Sequence, residues 1–136
     1  MRIDSQMTGL DTNVLVRYIV RDDPAQTERA DILLQEFTPE KPGFISLVAL
    51  AELFWVLRSF YRMPKAELIV CLERLLNSQN LILEGGTAVR LSIVKFAGAR
   101  CDFADCLIER SGFSGGCTRT VTFDTNAAKS TGMFLL

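Results

Sequence analysis

Residues 9–17 read Gly9-Leu10-Asp11-Thr12-Asn13-Val14-Leu15-Val16-Arg17. A short apolar segment ends in an acid, and helix-spaced apolar residues follow. The pattern predicts a strand over 7–10 and a helix from about Asn13, with Asp11 at the strand's carboxyl end. Asp followed by Thr and Asn suits a strand-to-helix turn in which the acid caps the helix. The same place, beyond the carboxyl end of a strand, is where ligands bind in open α/β sheets. Asp11 is therefore either a cap or the first member of a site.

The rest of the chain repeats this alternation. Asp23-Pro24-Ala25-Gln26 reads as a helix start, with Asp23 as cap, Pro24 in the first turn and Gln26 completing a loose capping box. That helix should run to about 37. A strand follows over 43–45, and Ser46 caps a long helix to about 61. Pro64 opens a helix through 76, and a strand lies over 80–83. Helices are expected over 87–97 and 102–111, and a strand over 119–123, "RTVTF". A short helix and a last strand over 133–136 complete the chain. Strands separated by helices imply a parallel sheet covered on both faces. With 136 residues, a single α/β domain spanning 1–136 is the expectation.

Composition narrows the chemistry. The chain is 49% hydrophobic and 23% charged, enough to build a core. A net charge of −1 supplies no global basic field for nucleic acid, so such binding would rest on local patches. There is no histidine, which excludes His-ligated zinc and Ser-His or Cys-His catalysis. A metal site would be built from carboxylates, whose hard oxygens suit Mg²⁺ or Mn²⁺. The four cysteines, Cys71, Cys101, Cys106 and Cys117, form no CxxC pair and read as reduced, mostly core thiols. The first ten residues show no apolar signal core. The longest apolar run, 47–57, contains Glu52 and is too short for a bilayer. A soluble, cytoplasmic protein with no membrane partner is expected.

Several acids call for an explanation. Glu52 lies in "SLVALAELFWVLRSF", with Val48, Ala49, Trp55 and Val56 as its helical neighbours. None of them pairs with a carboxylate, and partial burial without a partner is costly, so Glu52 is expected to meet a cation. The alternative is a narrow solvent stripe shared with Ser59. Asp102 and Asp105 share a helix face in "CDFADCLIERSGF". Asp102 can serve as a cap and Asp105 can sit near the positive end of the dipole. Glu109, one turn on, is read as solvated. Asp124 ends "VTFD" and repeats the arrangement of Asp11, each followed by Thr and Asn. Carboxylates brought together raise one another's pKa unless a cation neutralises them. Mg²⁺ or Mn²⁺ in such a cluster serves phosphoryl transfer or phosphodiester hydrolysis.

The segments "GLDTNVLVRYIVRDDPAQ", "SLVALAELFWVL", "CDFADCLIERSG" and "VTFDTNAAK", in this order, resemble the PIN-domain ribonucleases. Within them the likeness is to the VapC toxins of bacterial toxin–antitoxin pairs. The resemblance implies a three-layer α/β/α domain with a short parallel sheet flanked by helices. It implies a catalytic, metal-binding quartet of Asp11, Glu52, Asp105 and Asp124, with Asp102 as an accessory metal acid. It implies that Asn13 orients the first Asp and that Thr122 is the hydroxyl residue preceding the last acid. Where many relatives carry a further acid two residues after the last, this chain has Asn126, which bears on the affinity for a second ion. The implied reaction is hydrolysis of RNA by metal-activated water, with no side-chain nucleophile. The implied partners are an RNA such as tRNA or ribosomal RNA, a cognate antitoxin that blocks the site, and a second copy in a homodimer.

Grip on RNA would come from local cations. Arg17 and Arg21 are spaced one turn apart, as are Arg58 and Arg62; Lys or Arg contacts to phosphate position RNA without reading its sequence. The bland reading is a solvated face, or pairing of Arg21 with Asp22 or Asp23. Phe54, Trp55 and Phe60 read as core, dimer or antitoxin contacts rather than base-stacking platforms. Three other functions compete. A Mg²⁺-dependent phosphatase of the haloacid-dehalogenase type wants a second Asp where Asn13 stands. A phosphoacceptor domain wants an acid pair where Asp4 stands alone. A catalytically silent PIN-like binding module would have no use for the intact acids.

Overall fold

The computed structural model describes residues 6–136, so Asp4 and the start of the N-terminal segment lie outside the described residues. The chain packs as two compact units, the first ending at Glu84 and the second running from Gly85 to Leu136.

In the first unit, β1 (Thr8–Gly9), β2 (Gly43–Ile45) and β3 (Leu81–Leu83) form a parallel sheet in that order. Gly9 is in register with Phe44, and Phe44 with Ile82. Two helices, α1 (Thr12–Val20) and α2 (Pro24–Glu36), connect β1 to β2. Helix α3 (Leu47–Trp55), a π-helical turn (Val56–Phe60) and α4 (Lys65–Asn77) connect β2 to β3. Both crossovers join parallel neighbours, as the alternating pattern requires.

The caps explain the helix starts. Asp11 has extended backbone, and its carboxylate accepts from Thr12 N–H at 2.8 Å. Asp23 accepts from Gln26 N–H, with Pro24 in the first turn. The Gln26 side chain does not complete a capping box but accepts from Arg17 Nε at 2.7 Å. The start of α3 is capped twice: Ser46 accepts from Ala49 N–H, and Glu84 at the end of β3 accepts from Leu47 N–H. On α1, Thr12, Leu15 and Val16 are buried, the spacing of one helical stripe.

The long helix expected after Ser46 changes character before its end. From Val56 the backbone widens into a π turn, closed by Tyr61 N–H donating to the Val56 carbonyl. Arg62 then takes a left-handed φ of 54°. One face, Leu50, Leu53, Phe54 and Leu57, is buried, while Val48, Glu52, Trp55 and Ser59 are exposed. The expected partial burial of Glu52 is therefore corrected. The helix is apolar nearly all round, but only one of its faces is packed.

In the second unit, α5 (Gly86–Gly98) packs on α6 (Phe103–Ser114), and α7 (Thr125–Thr131) connects β4 (Val121–Thr122) to its parallel neighbour β5 (Phe134–Leu135). The strands are shorter than the apolar runs that predict them, and the parallel pairing falls into a sheet within each unit. Phe96 and Phe103 meet edge to face, their ring centres 5.9 Å apart. Glu109, read as solvated, is instead mostly covered. It lies 3.0 Å from Lys95 Nζ and 2.6 Å from Arg110 Nε, and these cations hold its carboxyl down at about 2. No helix among the described residues is long and apolar enough to cross a membrane.

Candidate metal centre

The first unit places its acids through the carboxyl ends of its strands. Asp11 follows β1 across Leu10, and Glu84 follows β3 directly. Buried Thr12 donates its hydroxyl to the Ala49 carbonyl at 3.4 Å. That bond ties the residue after Asp11 to α3 one turn before Glu52, so helix packing positions both acids. Asp11 and Glu52 are both exposed. Asn13 is exposed on α1; the capping bond to the Asp11 carboxylate comes from the Thr12 amide. Sequence reasoning passed over Thr12 and Glu84. Thr12 carried no signal beyond its place in the turn, and Glu84 could have been found as the acid that ends a strand.

The second unit gathers three acids. Asp102 is the N-cap residue of α6 and Asp105 lies in its first turn. Asp124 caps α7, accepting from Asn126 N–H at 2.8 Å and Ala127 N–H at 3.1 Å. Its own amide donates to the Thr122 hydroxyl at 3.0 Å, so Thr122 orients the turn that carries the acid. Asn126 donates its side-chain amide to the Arg100 carbonyl at 3.2 Å, joining α7 to the segment before α6. Burial pushes the Asp105 carboxyl up, and the charges of Asp102 and Asp124 push it further. These three carboxylates thus share an electrostatic neighbourhood. Among the described residues, no group of three or more Cys, Asp or Glu side chains is arranged to hold a metal ion. The donor chemistry still fits a hard divalent cation, because Asp105 is crowded by like charge that a cation would relieve.

The basic residues are partly engaged. Arg17 pairs with Asp22 and bonds Gln26 and the Tyr61 hydroxyl. Arg21, in left-handed conformation at the end of α1, grips Asp31 with two nitrogens rather than pairing with Asp22 or Asp23. Arg58 and Arg62 are exposed at and just beyond the π turn. A groove of about 490 Å³ between α1 and α2 is lined by Asn13, Arg17, Gln26 and Arg29, among others. Of the three aromatics, Phe54 is buried, while Trp55 and Phe60 are exposed.

Alternating α and β elements, parallel pairing and acids at strand and helix ends define an α/β class with carboxylates at its element ends. The chain matches the PIN domain family over residues 10–131 and belongs to that family. Its fold is the family's three-layer α/β/α arrangement with a short parallel sheet. PIN domains are generally metal-dependent nucleases and typically use divalent ions. No curated protein matches the chain.

Proposed function

We propose that this chain is a ribonuclease of the VapC type, the toxin of a toxin–antitoxin pair acting in the cytoplasm as a single PIN-like domain. It hydrolyses RNA phosphodiester bonds, in tRNA or ribosomal RNA, with Mg²⁺ or Mn²⁺. The observation that carries the reading is the crowding of Asp105 by Asp102 and Asp124, a like-charge arrangement that a bound cation compensates. In this reading Asp11, Glu52, Asp105 and Asp124 hold the ion, and Asp102 assists them. When bound, the ion supplies an activated water and charge stabilisation at the phosphate.

The chain's own residues prepare that site. Thr12 holds the start of α1 against α3, and Thr122 sets the turn of Asp124. Asn13, beside the groove that Arg17 and Arg29 line, is assigned to orienting Asp11. Arg58 and Arg62 are further phosphate contacts, and Arg21 contributes once its pairing with Asp31 yields to RNA. The exposed side chains of Val48, Trp55 and Phe60 suit contact with a second copy or with an antitoxin.

The test is cleavage of a fluorescent single-stranded RNA and of total tRNA, with Mn²⁺ or Mg²⁺ against EDTA, for wild type and Asp11→Asn. Metal-dependent cutting that the variant loses is expected. Cutting that persists in the variant or in EDTA would sink the assignment. Absence of cutting together with no calorimetric Mn²⁺ binding would favour a protein-binding module.

A further inference from the structure

Residues 101–106 read Cys101-Asp102-Phe103-Ala104-Asp105-Cys106, two acids enclosed by two thiols. Asp102 is the N-cap residue of α6. That puts Cys101 just before the cap and Cys106 four residues after it. Side chains at those positions meet across the first turn and set the angle at which the chain joins the helix. The usual pair is apolar and inert. Here it is two thiols whose sulfurs lie 2.6 Å apart. A disulfide bond is about 2.05 Å long, and sulfurs already in direct contact need little movement to reach it. Cys106 is fully buried and Cys101 is 6% exposed. The remaining cysteines stand in other settings: Cys71 contacts the Met63 sulfur, and Cys117 is exposed.

We propose that Cys101 and Cys106 are a redox-responsive pair that closes to a disulfide under peroxide and locks the turn bearing Asp102 and Asp105. The more exposed Cys101 reacts first. Its sulfur attacks one oxygen of hydrogen peroxide, the O–O bond breaks, and a sulfenic acid and one water form. The Cys106 sulfur then attacks the Cys101 sulfur. The S–O bond breaks, the Cys106 proton leaves with that oxygen as a second water, and the S–S bond forms. Two thiols lose two electrons and two protons, and peroxide is reduced to two waters.

The ring so closed contains both acids and little else. The segment before it is already tied to α7, because Asn126 donates its side-chain amide to the Arg100 carbonyl. Oxidation therefore joins the start of α6 covalently to a segment that α7 holds in place. The chemistry belongs to the thiols and does not depend on the nuclease reading.

Arg100 and Arg110 bracket the pair, so trypsin releases residues 101–110 as one peptide. The full chain is treated with graded hydrogen peroxide, quenched, denatured, alkylated and digested. The expected result is a 101–110 peptide that takes up no alkylating agent, has lost two hydrogens in mass, and regains two alkylation sites on reduction. The oxidised protein should melt roughly 5 °C higher, reversibly on reduction. Cys101→Ser should abolish both changes. Two alkylated cysteines in that peptide at every dose up to the onset of methionine oxidation would overturn the proposal. So would oxidation of one sulfur beyond sulfenic acid without a bond, or a crosslink from either cysteine to Cys71 or Cys117.

Discussion

Lys95 Nζ stands 3.0 Å from a carboxylate oxygen of Glu109 on the neighbouring helix, and the same ammonium donates to the Thr131 carbonyl. One side chain thus bonds to both α6 and α7 from α5. The pair is mostly covered, with side-chain exposures of 27% and 13%. Arg110 and then Lys95 hold the Glu109 carboxyl at about 2, against an ordinary 4.5. The folded value is depressed, so the stabilisation is complete above about pH 4.5 and is lost as the pH falls through about 2. Glu109→Gln should lower the unfolding free energy at pH 7 by about 1–3 kcal/mol. In urea titrations, the gap between wild type and variant should close across that window. A gap that stays constant with pH would show that packing, not charge, is lost.

Gly43 starts the central strand of the first sheet where other atoms leave no room. A Cβ there would lie 2.6 Å from Phe37 Cε2 and 2.9 Å from Leu81 Cδ2. Phe37 is buried, so its ring has little freedom to withdraw. Gly43→Ala should cost about 1–3 kcal/mol by overpacking. Phe37→Leu in the same chain should recover part of that cost. Equal losses in the single and double variants would place the strain elsewhere.

Asp105 carries a charge that the folded chain disfavours. Burial and the charges of Asp102 and Asp124 all push its carboxyl up. Without divalent cations, Asp105→Asn should therefore raise stability, by about 0.5–1 kcal/mol after solvent screening. Saturating Mn²⁺ should raise the melting temperature of wild type and leave the variant nearly unmoved. A variant less stable than wild type without metal would mean that favourable bonds outweigh the repulsion.

The order of elements was legible because apolar periodicity and caps are local. Asp11, Asp23 and Ser46 each accept from an amide in the first turn of the helix they precede. The π turn was not legible: nothing in "VLRSF" specifies the wider backbone pairing. Nor did local pattern decide the outward face of α3. With apolar residues nearly all round, packing selected Leu50, Leu53 and Phe54 for burial and left Glu52 outside.

For the candidate site, spacing alone placed Asp102 and Asp105 on one turn. The neighbourhood of Asp105 and Asp124 is tertiary, and so is the pairing of Glu109 with Lys95 across two helices. Glu84 escaped because its visible role, capping α3 at Leu47, joins residues far apart in sequence. The symmetry of the two "DTN" segments was informative. Both acids prove to be caps, and a cap at a strand's carboxyl end leaves carboxylate lone pairs for other duty.

That double duty at Asp124 separates structure from chemistry. One oxygen accepts from the Asn126 and Ala127 amides, and the turn is further set by Thr122. An asparagine keeps an oxygen in that place but removes the charge, whereas alanine removes both. Asp124→Ala should lose about 1 kcal/mol of stability, and Asp124→Asn only a few tenths. Both should lose metal-dependent RNA cleavage to a similar extent, by 100-fold or more on the order of a lost transition-state charge contact. Thermal melts and cleavage rates on the same preparations check the two effects together. An Asn variant that keeps full activity would reduce Asp124 to a cap. Equal stability loss in both variants would mean that the charge, rather than the oxygen, holds the start of α7.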